Sequence, residues 1–438
     1  MNALTHLMVR LMQRYLPDAF VLAIFLTALI MVLGITWAGQ TPLAMAAAWG
    51  KGFSSLFNFG MQMALVLITG YVLALTPLVQ RLLDRVTDVP KTPRQALMLT
   101  AFISFVACYL NWGFGLVVGA ILAKEMGRKV AGLHFPLVVA AAYAAEVVRG
   151  PSTSIPLVVA TPGHFMESLI GIVPVSQTLY ASWNIGLTLL ILVALVLLFG
   201  SLAPPPSGAV GFVAPIERQP EPVRTRAQMT VAERLEHARW VSLLLAVMPI
   251  LYLGHYFASS GLGLNLNVVI IIFLALALLL HPHSAALLAA VKEAVVATRG
   301  ILLQFPLYAG VAGMMGDSGM VQAVAQGFIA IATPETFPIL TFLAAGLVNM
   351  FVPSGGGQWV VQGPIMMEAA LALGADVSHT IMAFAWGDGW TNQIQPFWAL
   401  PLLGVAGLSA RDIMGYCMVW LLVSGTIIGV TLLLLAFW

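Results

Sequence analysis

The sequence has few charged side chains. It carries 19 basic and 17 acidic residues among 438, which is 8% of the chain. Soluble domains carry roughly 25%, so these charges cannot cover a soluble body of this size, and the composition excludes a soluble globular protein. The formal net charge is only +2. This excludes a nucleic-acid-binding protein, because such a protein needs a strongly basic surface.

Cysteine and catalytic motifs are scarce as well. Cys108 and Cys417 are the two cysteines, and both lie in apolar surroundings, which excludes a disulfide scaffold and favours small buried side chains. The sequence contains neither the H-E-x-x-H motif nor the G-x-S-x-G motif, which mark metalloproteases and serine hydrolases. No cluster of acidic residues stands out as a metal site. We therefore expect that the protein is not an enzyme and holds no metal.

Long apolar segments are abundant. Runs such as Leu187–Phe199 lack the alternation of polar and apolar residues that a β-barrel requires, so we expect an all-α polytopic membrane protein. The apolar runs and their breaks predict nine crossings and two re-entrant helical hairpins. The first hairpin, 96–127, is predicted to consist of two half-length helices of about 15 and 12 residues on either side of its break. With a cytoplasmic N-terminus, 17 of the 19 Lys and Arg residues fall inside, as the positive-inside rule requires. The C-terminus is then periplasmic.

The order of segments recurs in two halves. Each half reads as a span, an amphipathic segment (42–57 or 285–299), a span, a polar turn, a hairpin, a broken span and a closing span. One extra span between the halves reverses the orientation of the second, and such inverted repeats are typical of secondary transporters. The predicted parts are a first membrane repeat at 1–203, a cytoplasmic linker at 204–239, a connecting transmembrane helix at 240–263 and a second, inverted repeat at 264–438.

Four breaks interrupt the apolar segments with Gly, Pro and polar residues. They lie at Asn111–Gly115, Arg149–Pro156, Pro353–Gln358 and Gly387–Pro396. Gly and Pro end helices, and the N-termini of the half-helices then offer N–H donors to an anion. The alternative is that these are kinks in buried helices, with Ser and Thr bonded to their own backbone.

We predict that an anionic substrate binds at these breaks. Arg149 is the only Lys or Arg predicted inside the membrane, where such charges are costly and usually functional. It pairs either with a substrate carboxylate or with Glu146, three residues earlier. Asp388 binds a coupling ion or caps the half-helix that follows, and the ion candidates are Asp388, Asn111 and Asn392. The substrate-binding candidates are Asn111, Arg149, Ser152, Thr153, Ser154, Ser354, Gly355, Gly356, Gly357, Gln358, Thr391, Asn392 and Gln393.

Four strings resemble the bacterial short-chain fatty acid transporter family, and the resemblance covers nearly the whole chain. They are NWGFGLVVGAILAKEMGR (111–128), RGPSTSIPLVVATPGHF (149–165), VPSGGGQWVVQGP (352–364) and GDGWTNQIQPFWALPLLG (387–404). The resemblance implies transport of anions of the butyrate and acetoacetate class. That family is grouped with an ion transporter superfamily of carriers with inverted repeats and re-entrant hairpins. Several of those carriers are homodimers with elevator-like motion, which implies a homodimer here.

We therefore expect a secondary transporter of short-chain fatty acid anions in the bacterial inner membrane. It would work by alternating access, with H⁺ or Na⁺ symport and no other cofactor. Its partners would be a small carboxylate, the lipid bilayer and a second copy of the chain. A carrier of another organic anion such as a C4-dicarboxylate, or a cation/proton antiporter, is the alternative. One arginine among neutral polar groups favours a monocarboxylate, since a dicarboxylate would be expected to need more positive charge.

Overall fold

The computed structural model describes residues 3–15, 17, 19–55, 57–204, 208–212, 229–260, 266–353 and 355–435. Within these ranges the chain is helical and contains no β-strand, which confirms the predicted all-α fold. Five helices of the described part are long and apolar enough to cross a membrane, and a sixth span is obtained if Thr5–Tyr15 and Phe20–Thr36 are one bent span. The chain is therefore a polytopic membrane protein, whereas the nine crossings stay a prediction.

The helices of the described ranges are numbered in chain order. They are α1 Ala3–Tyr15, α2 Ala19–Thr36, α3 Pro42–Ser55, α4 Phe57–Ala74, α5 Pro77–Thr87, α6 Pro93–Leu110, α7 Trp112–Lys129, α8 Phe135–Ala144, α9 Ser154–Val159, α10 Glu167–Ile170, α11 Ser182–Ser201, α12 Val231–Glu236, α13 Arg239–Ser260, α14 Leu266–Leu280, α15 Ser284–Asp317, α16 Met320–Ile329, α17 Phe337–Asn349, α18 Gly355–Leu373, α19 Val377–Asn392, α20 Pro396–Ala406 and α21 Ala410–Leu435. A short 3₁₀ turn, Ala145–Val147, follows α8.

Several helix ends follow local sequence signals. The side chain of Thr92 accepts a hydrogen bond from the backbone N–H of Gln95 and begins α6, and Asp376 does the same for His379 at the start of α19. Such caps satisfy N–H groups that a helix leaves unpaired in its first turn. Helix α20 ends at Gly407, whose φ of 73° suits glycine because it has no side chain.

Helices α6 and α7 form the first hairpin, with Asn111 alone between them. They pack so closely that a Cβ at Gly115 would lie 2.3 Å from the sulfur of Cys108. Each helix has 18 residues, or about 27 Å, where the sequence predicts halves of about 15 and 12 residues. Those lengths were wrong. Because α6 alone is long enough to cross, the re-entrant character of this hairpin stays a prediction.

Helices α17 and α18 are the second interrupted pair. The side-chain amide of Gln358 in α18 donates to the carbonyl of Ala345 in α17 at 2.8 Å, so the two helices are in contact near the break. Helix α17 also packs closely on α19, since a Cβ at Gly387 would lie 2.2 Å from the carbonyl oxygen of Phe342. Helix α17 therefore packs along the C-terminal half of α19.

The predicted amphipathic segment at 285–299 is part of a longer helix. The segment 285–299 and the span after it were predicted to be separate, but both belong to the 34-residue α15, which continues through Pro306. The other amphipathic segment, 42–57, contains α3. A Cβ at Gly52 would lie 2.5 Å from the carbonyl oxygen of Ala309, so α3 packs on α15 with backbone against backbone.

Buried tryptophans tie together the helices around the centre. The indole N–H of Trp386 in α19 donates to the Asn184 side chain of α11 at 2.8 Å. The indole N–H of Trp420 in α21 donates to the carbonyl of Ala144 at the end of α8, at 3.0 Å. Both tryptophan side chains are fully buried. These bonds fix the end of α8, which leads into the segment with Glu146 and Arg149, and they fix α19, which carries Asp388.

The predicted linker at 204–239 and the predicted connecting helix at 240–263 lie partly outside the described residues. The described part of the linker contains residues 208–212 and α12. The carbonyl of Val210 accepts the N–H of Phe135 at 2.8 Å, which attaches the linker to the start of α8. The described part of the connecting segment is helical from Arg239 to Ser260.

Candidate functional site

The four breaks are shorter than the sequence predicts. Among the described residues, the non-helical backbone at the breaks comprises Asn111 alone, residues 148–153, residues 350–353 and residues 393–395. The predicted break residues Gly355–Gln358 form the first turn of α18, and Gly387–Asn392 end α19. The glycine at 387 permits close helix packing, as described above, and does not interrupt the helix.

A buried ionic cluster lies at the second and fourth breaks. The Nη2 atom of Arg149 lies 3.1 Å from Glu146 Oε1 and 2.6 Å from the Glu146 carbonyl oxygen. Its Nη1 atom lies 3.7 Å from Asp388 Oδ2. These three side chains are at most 8% exposed. Formally, the cluster holds two negative charges and one positive charge in a region where unpaired charge is costly.

Arg149 occupies the space left by the missing side chain of Gly389. A Cβ at Gly389 would lie 2.2 Å from Cζ of the guanidinium and 2.3 Å from Nη2. These distances are far below ordinary van der Waals contact, so the arginine lies directly over the backbone of α19. In the string G-D-G at 387–389, the first glycine lets α17 pack closely, the aspartate is the acid, and the second glycine leaves space for Arg149.

Amide side chains connect α17 and α19 to Glu146. The Nδ2 atom of Asn349 donates to the Asp388 carbonyl at 2.7 Å, to Thr391 Oγ1 at 3.0 Å and to Asn392 Oδ1 at 2.7 Å. The Nδ2 atom of Asn392 in turn donates to Glu146 Oε1 at 3.3 Å. Thr391 donates its hydroxyl to the carbonyl of Gly346 at 2.9 Å. The network joins the end of α17, the end of α19 and the ionic cluster.

The N-terminus of α18 faces Asp388. A Cβ at Gly355, the first residue of α18, would lie 2.8 Å from Asp388 Oδ2. A carboxylate beside a helix N-terminus is favourable, because the helix dipole is positive there. A Cβ at the next residue, Gly356, would lie 4.0 Å from Ser154 Oγ. The second, third and fourth breaks therefore meet at the start of α18.

The first break joins this site through the second. The Ser152 hydroxyl oxygen accepts the N–H of Trp112 at 3.2 Å. The side chain of Asn111 caps α7 by accepting the N–H of Phe114 at 3.0 Å. A Cβ at Gly150 would lie 2.1 Å from the carbonyl oxygen of Tyr109, so the second break packs directly on the end of α6.

The site has an excess of buried acceptor atoms. Five buried side-chain oxygens near the breaks have no hydrogen-bond partner among the described residues, namely Asn349 Oδ1, Gln358 Oε1, Asp388 Oδ1, Gln393 Oε1 and Gln395 Oε1. Two buried donor atoms on α18 likewise have no hydrogen-bond partner among the described residues, namely Trp359 Nε1 and Gln362 Nε2. Buried polar atoms normally have a partner, so an excess of oxygens indicates a site that a cation or a donor group can complete.

The structure brings most of the predicted site residues together and leaves some apart. Asn392, Arg149 and Asp388 belong to one connected network, and the Gln393 amide lies 3.5 Å from Glu146 Oε2. Thr153 is the N-cap residue of α9 and makes no capping bond with its side chain. Gly357 lies in the first turn of α18. Ser354 lies outside the described residues.

Sequence reasoning missed several members of the network. It considered Glu146 only as a partner of Arg149, and it did not include Asn349, Gln395 or Tyr143. Each is buried, and the Tyr143 hydroxyl donates to the carbonyl of Asn392 at 2.5 Å. A polar side chain inside an apolar run, such as Asn349 in AAGLVNMF, was the available signal. Its partners become visible only in three dimensions.

Comparison with known proteins gives a family model and two relatives that match nearly the whole chain. The family model described as short chain fatty acid transporter matches residues 1–435. A protein of Escherichia coli (strain K12) named "Putative short-chain fatty acid transporter" is 42% identical over 435 residues, covering 98% of this chain and 99% of that protein. A Haemophilus influenzae protein with the same name is 39% identical over 438 residues, covering 97% and 98%. The crystal structure of the Alcanivorax borkumensis YdaH transporter aligns over 96% of this chain and 98% of that chain, with 16% identity and a TM-score of 0.46.

Proposed function

Since the chain belongs to the short-chain fatty acid transporter family, we propose that it carries short-chain fatty acid anions across the bacterial inner membrane. The butyrate and acetoacetate class is the proposed cargo, and alternating access is the proposed mode of transport. One observation carries the proposal. The family match spans a chain in which two helix pairs and two broken helices meet at a buried polar site, the arrangement expected of a secondary transporter.

The charge of the site supports coupling to a cation. Glu146 and Asp388 formally outnumber Arg149, so a bound carboxylate would add a second uncompensated negative charge to a buried region. Like charges in such surroundings repel strongly. Symport of H⁺ or Na⁺ removes the imbalance, and the unpartnered oxygens of Asp388, Asn349 and Gln393 are suitable ligands for a hard cation. We assign the coupling ion to Asp388 and Asn392, with Asn111 as the third candidate.

The proposed substrate carboxylate binds at the start of α18. Gly355, Gly356 and Gly357 present the first N–H groups of that helix, and the hydroxyl of Ser154 lies nearby. Asp388 now lies against the same N-terminus. A cation or proton on Asp388 weakens its attraction to the helix dipole, so cation binding prepares the place for the substrate.

The remaining candidates surround this position and have supporting roles in the proposal. Arg149 is held by Glu146 and by the carbonyl of Val147. We therefore propose that it balances the charge of the acids and does not contact the substrate directly. Ser152, Thr153, Ser354, Gln358, Thr391 and Gln393 complete the proposed walls of the substrate site.

The proposed topology has two inverted halves, a cytoplasmic N-terminus and a periplasmic C-terminus. Ion pairs between distant segments fit the predicted sides of those segments relative to one another, because each pair joins residues on the same predicted side. Lys51 pairs with Asp317 at 3.1 Å on the periplasmic side, and Lys129 pairs with Asp84 at 2.9 Å on the cytoplasmic side. Labelling of a Lys51→Cys variant in intact cells with a membrane-impermeant maleimide tests the orientation, and protection of that cysteine would contradict it. The proposed homodimer is tested by the mass of the detergent-solubilised protein.

Uptake of labelled butyrate into proteoliposomes tests the proposal. The wild-type protein should accumulate butyrate when an H⁺ or a Na⁺ gradient is imposed. Asp388→Asn should lose the response to that gradient, while Asp317→Asn, an exposed acid at the end of α15, should keep it. Folded wild-type protein that takes up no butyrate under any gradient would overturn the function. An unchanged ion dependence in Asp388→Asn would remove Asp388 from the coupling role.

A further inference from the structure

A cavity of about 320 Å³ lies between α2 and the breaks of the second half. Leu26 of α2 and Tyr308 of α15 form one wall. Leu347, at the end of α17, and Met350, just beyond it, form another. Ile394 and Gln395 of the fourth break also line it. The cavity is partly open, since its lining residues Leu29 and Leu347 are exposed. We call it the α2 cavity.

The walls of the α2 cavity are almost entirely apolar. Its lining side chains are aliphatic or aromatic, apart from the Gln395 amide and the hydroxyl of Tyr308. A charged group would lose its hydration there without compensation. An alkyl group suits these walls, and the volume is at the small end of the roughly 300–1,000 Å³ typical of ligand pockets. An apolar cavity of about 150 Å³ already takes up benzene, so the α2 cavity has room for a short alkyl chain.

The α2 cavity adjoins the buried polar site through neighbouring residues. Met350 lines the cavity, and the residue before it, Asn349, bonds to α19 in the polar network. Ile394 lines the cavity, and the residue before it, Gln393, approaches Glu146. Gln395 belongs to both, because it lines the cavity and donates its amide to the carbonyl of Asn349.

Gln395 also provides a polar group at the boundary. Its side chain is buried, with 4% exposure, and its Oε1 atom is buried with no hydrogen-bond partner among the described residues. Such an atom normally has a partner. A ligand with a polar head at the network and an apolar tail in the cavity matches both sides of this boundary.

We propose that the α2 cavity binds the alkyl tail of the transported acid and thereby sets the preferred chain length. This inference rests on the proposed function, because it assumes a carboxylate head at the polar site. Each methylene that enters an apolar cavity strengthens binding by about fourfold. Half-saturation concentrations should therefore fall from acetate to butyrate to hexanoate, and should rise again for acids longer than the cavity.

The first test fills the cavity. Leu26→Trp should lower the uptake of hexanoate relative to acetate by about tenfold or more, since the indole takes the place of about two methylenes. The matched control is Ile24→Trp, on the same helix at a 52% exposed position outside the cavity lining. The control should keep the wild-type ratio. Equal ratios in Leu26→Trp and the wild-type protein would overturn the inference.

The second test enlarges the cavity and decides the matter if Leu26→Trp does not fold. Leu347→Ala should shift the preference toward longer acids. Leu343→Ala, one turn earlier on α17, similarly exposed and outside the cavity lining, should not. Equal chain-length profiles in the two variants would indicate that the cavity holds lipid and not the substrate tail, and would overturn the inference. These results are distinct from a failure of the proposed function, in which the wild-type protein would transport none of these acids.

Discussion

Replacing Gly389 with alanine should damage the buried ionic cluster. Alanine is better than glycine inside a helix by about 1 kcal/mol, and Gly389 lies in the regular helix α19. Its new methyl group, however, would be 2.2 Å from Cζ of Arg149. Ordinary contact begins near 3.4 Å, so the guanidinium must retreat by about 1 Å.

That retreat weakens the bonds of Arg149 to Glu146 and its approach to Asp388. Loss of one partner from a buried ion pair costs about 3–5 kcal/mol. After subtracting the gain of about 1 kcal/mol in helix propensity, Gly389→Ala should lower the free energy of unfolding by about 2–4 kcal/mol. Butyrate uptake should fall as well, because the charge balance of the site is disturbed.

The assay is thermal unfolding of the detergent-solubilised protein, followed by its tryptophan fluorescence. The matched control is Gly186→Ala in α11, where a Cβ would meet no atom within 4 Å. The control should be unchanged or stabilised by up to about 1 kcal/mol, while Gly389→Ala should unfold at a clearly lower temperature. Equal unfolding temperatures in the two variants would refute the assigned position of Arg149 over α19.

Three further substitutions test other parts of the structure. Asn349→Ala removes an amide with three partners on α19, so it should lower the free energy of unfolding by about 1–3 kcal/mol and reduce butyrate uptake; wild-type thermal stability would contradict the network. Lys51→Ala breaks an exposed ion pair with Asp317 and should lower the free energy of unfolding by less than about 1 kcal/mol. A larger loss in the same unfolding assay would contradict a weak, solvent-exposed pair. Gly52→Val places a side chain 2.5 Å from the backbone of α15 and should destabilise the protein by about 1–3 kcal/mol. Gly50→Val, on the open side of the same helix, should have little effect, and similar melting of the two variants would argue against this helix contact.

The helical membrane class was predictable from composition and apolar runs, because few charges and long apolar segments leave no other stable arrangement. Helix lengths were harder to predict. Pro306 interrupts the apolar pattern in sequence, yet it lies inside the continuous helix α15, since neighbouring groups can satisfy the backbone that a proline frees in a membrane helix. A sequence pattern alone does not show whether such neighbours are present.

The site was predictable in outline and not in detail. The positions of Arg149 and Asp388 were recognised because charges are rare inside apolar segments. The role of Gly387 was misjudged, because a glycine that ends a helix and a glycine that admits a neighbouring helix look the same in sequence. The contribution of Asn349 depends on three partners that are 39 to 43 residues away in the chain. Only the packing of α17 on α19 brings them together.

Counterflow of labelled butyrate in proteoliposomes tests the central claim most directly, because exchange needs no imposed gradient. Vesicles loaded with unlabelled butyrate should take up labelled butyrate, and acetoacetate inside the vesicles should support the same exchange. Succinate should not, since one buried arginine among two acids cannot balance a dicarboxylate. If succinate drove the exchange, or if no monocarboxylate did in folded protein, the assignment as a carrier of short-chain fatty acid anions would be contradicted.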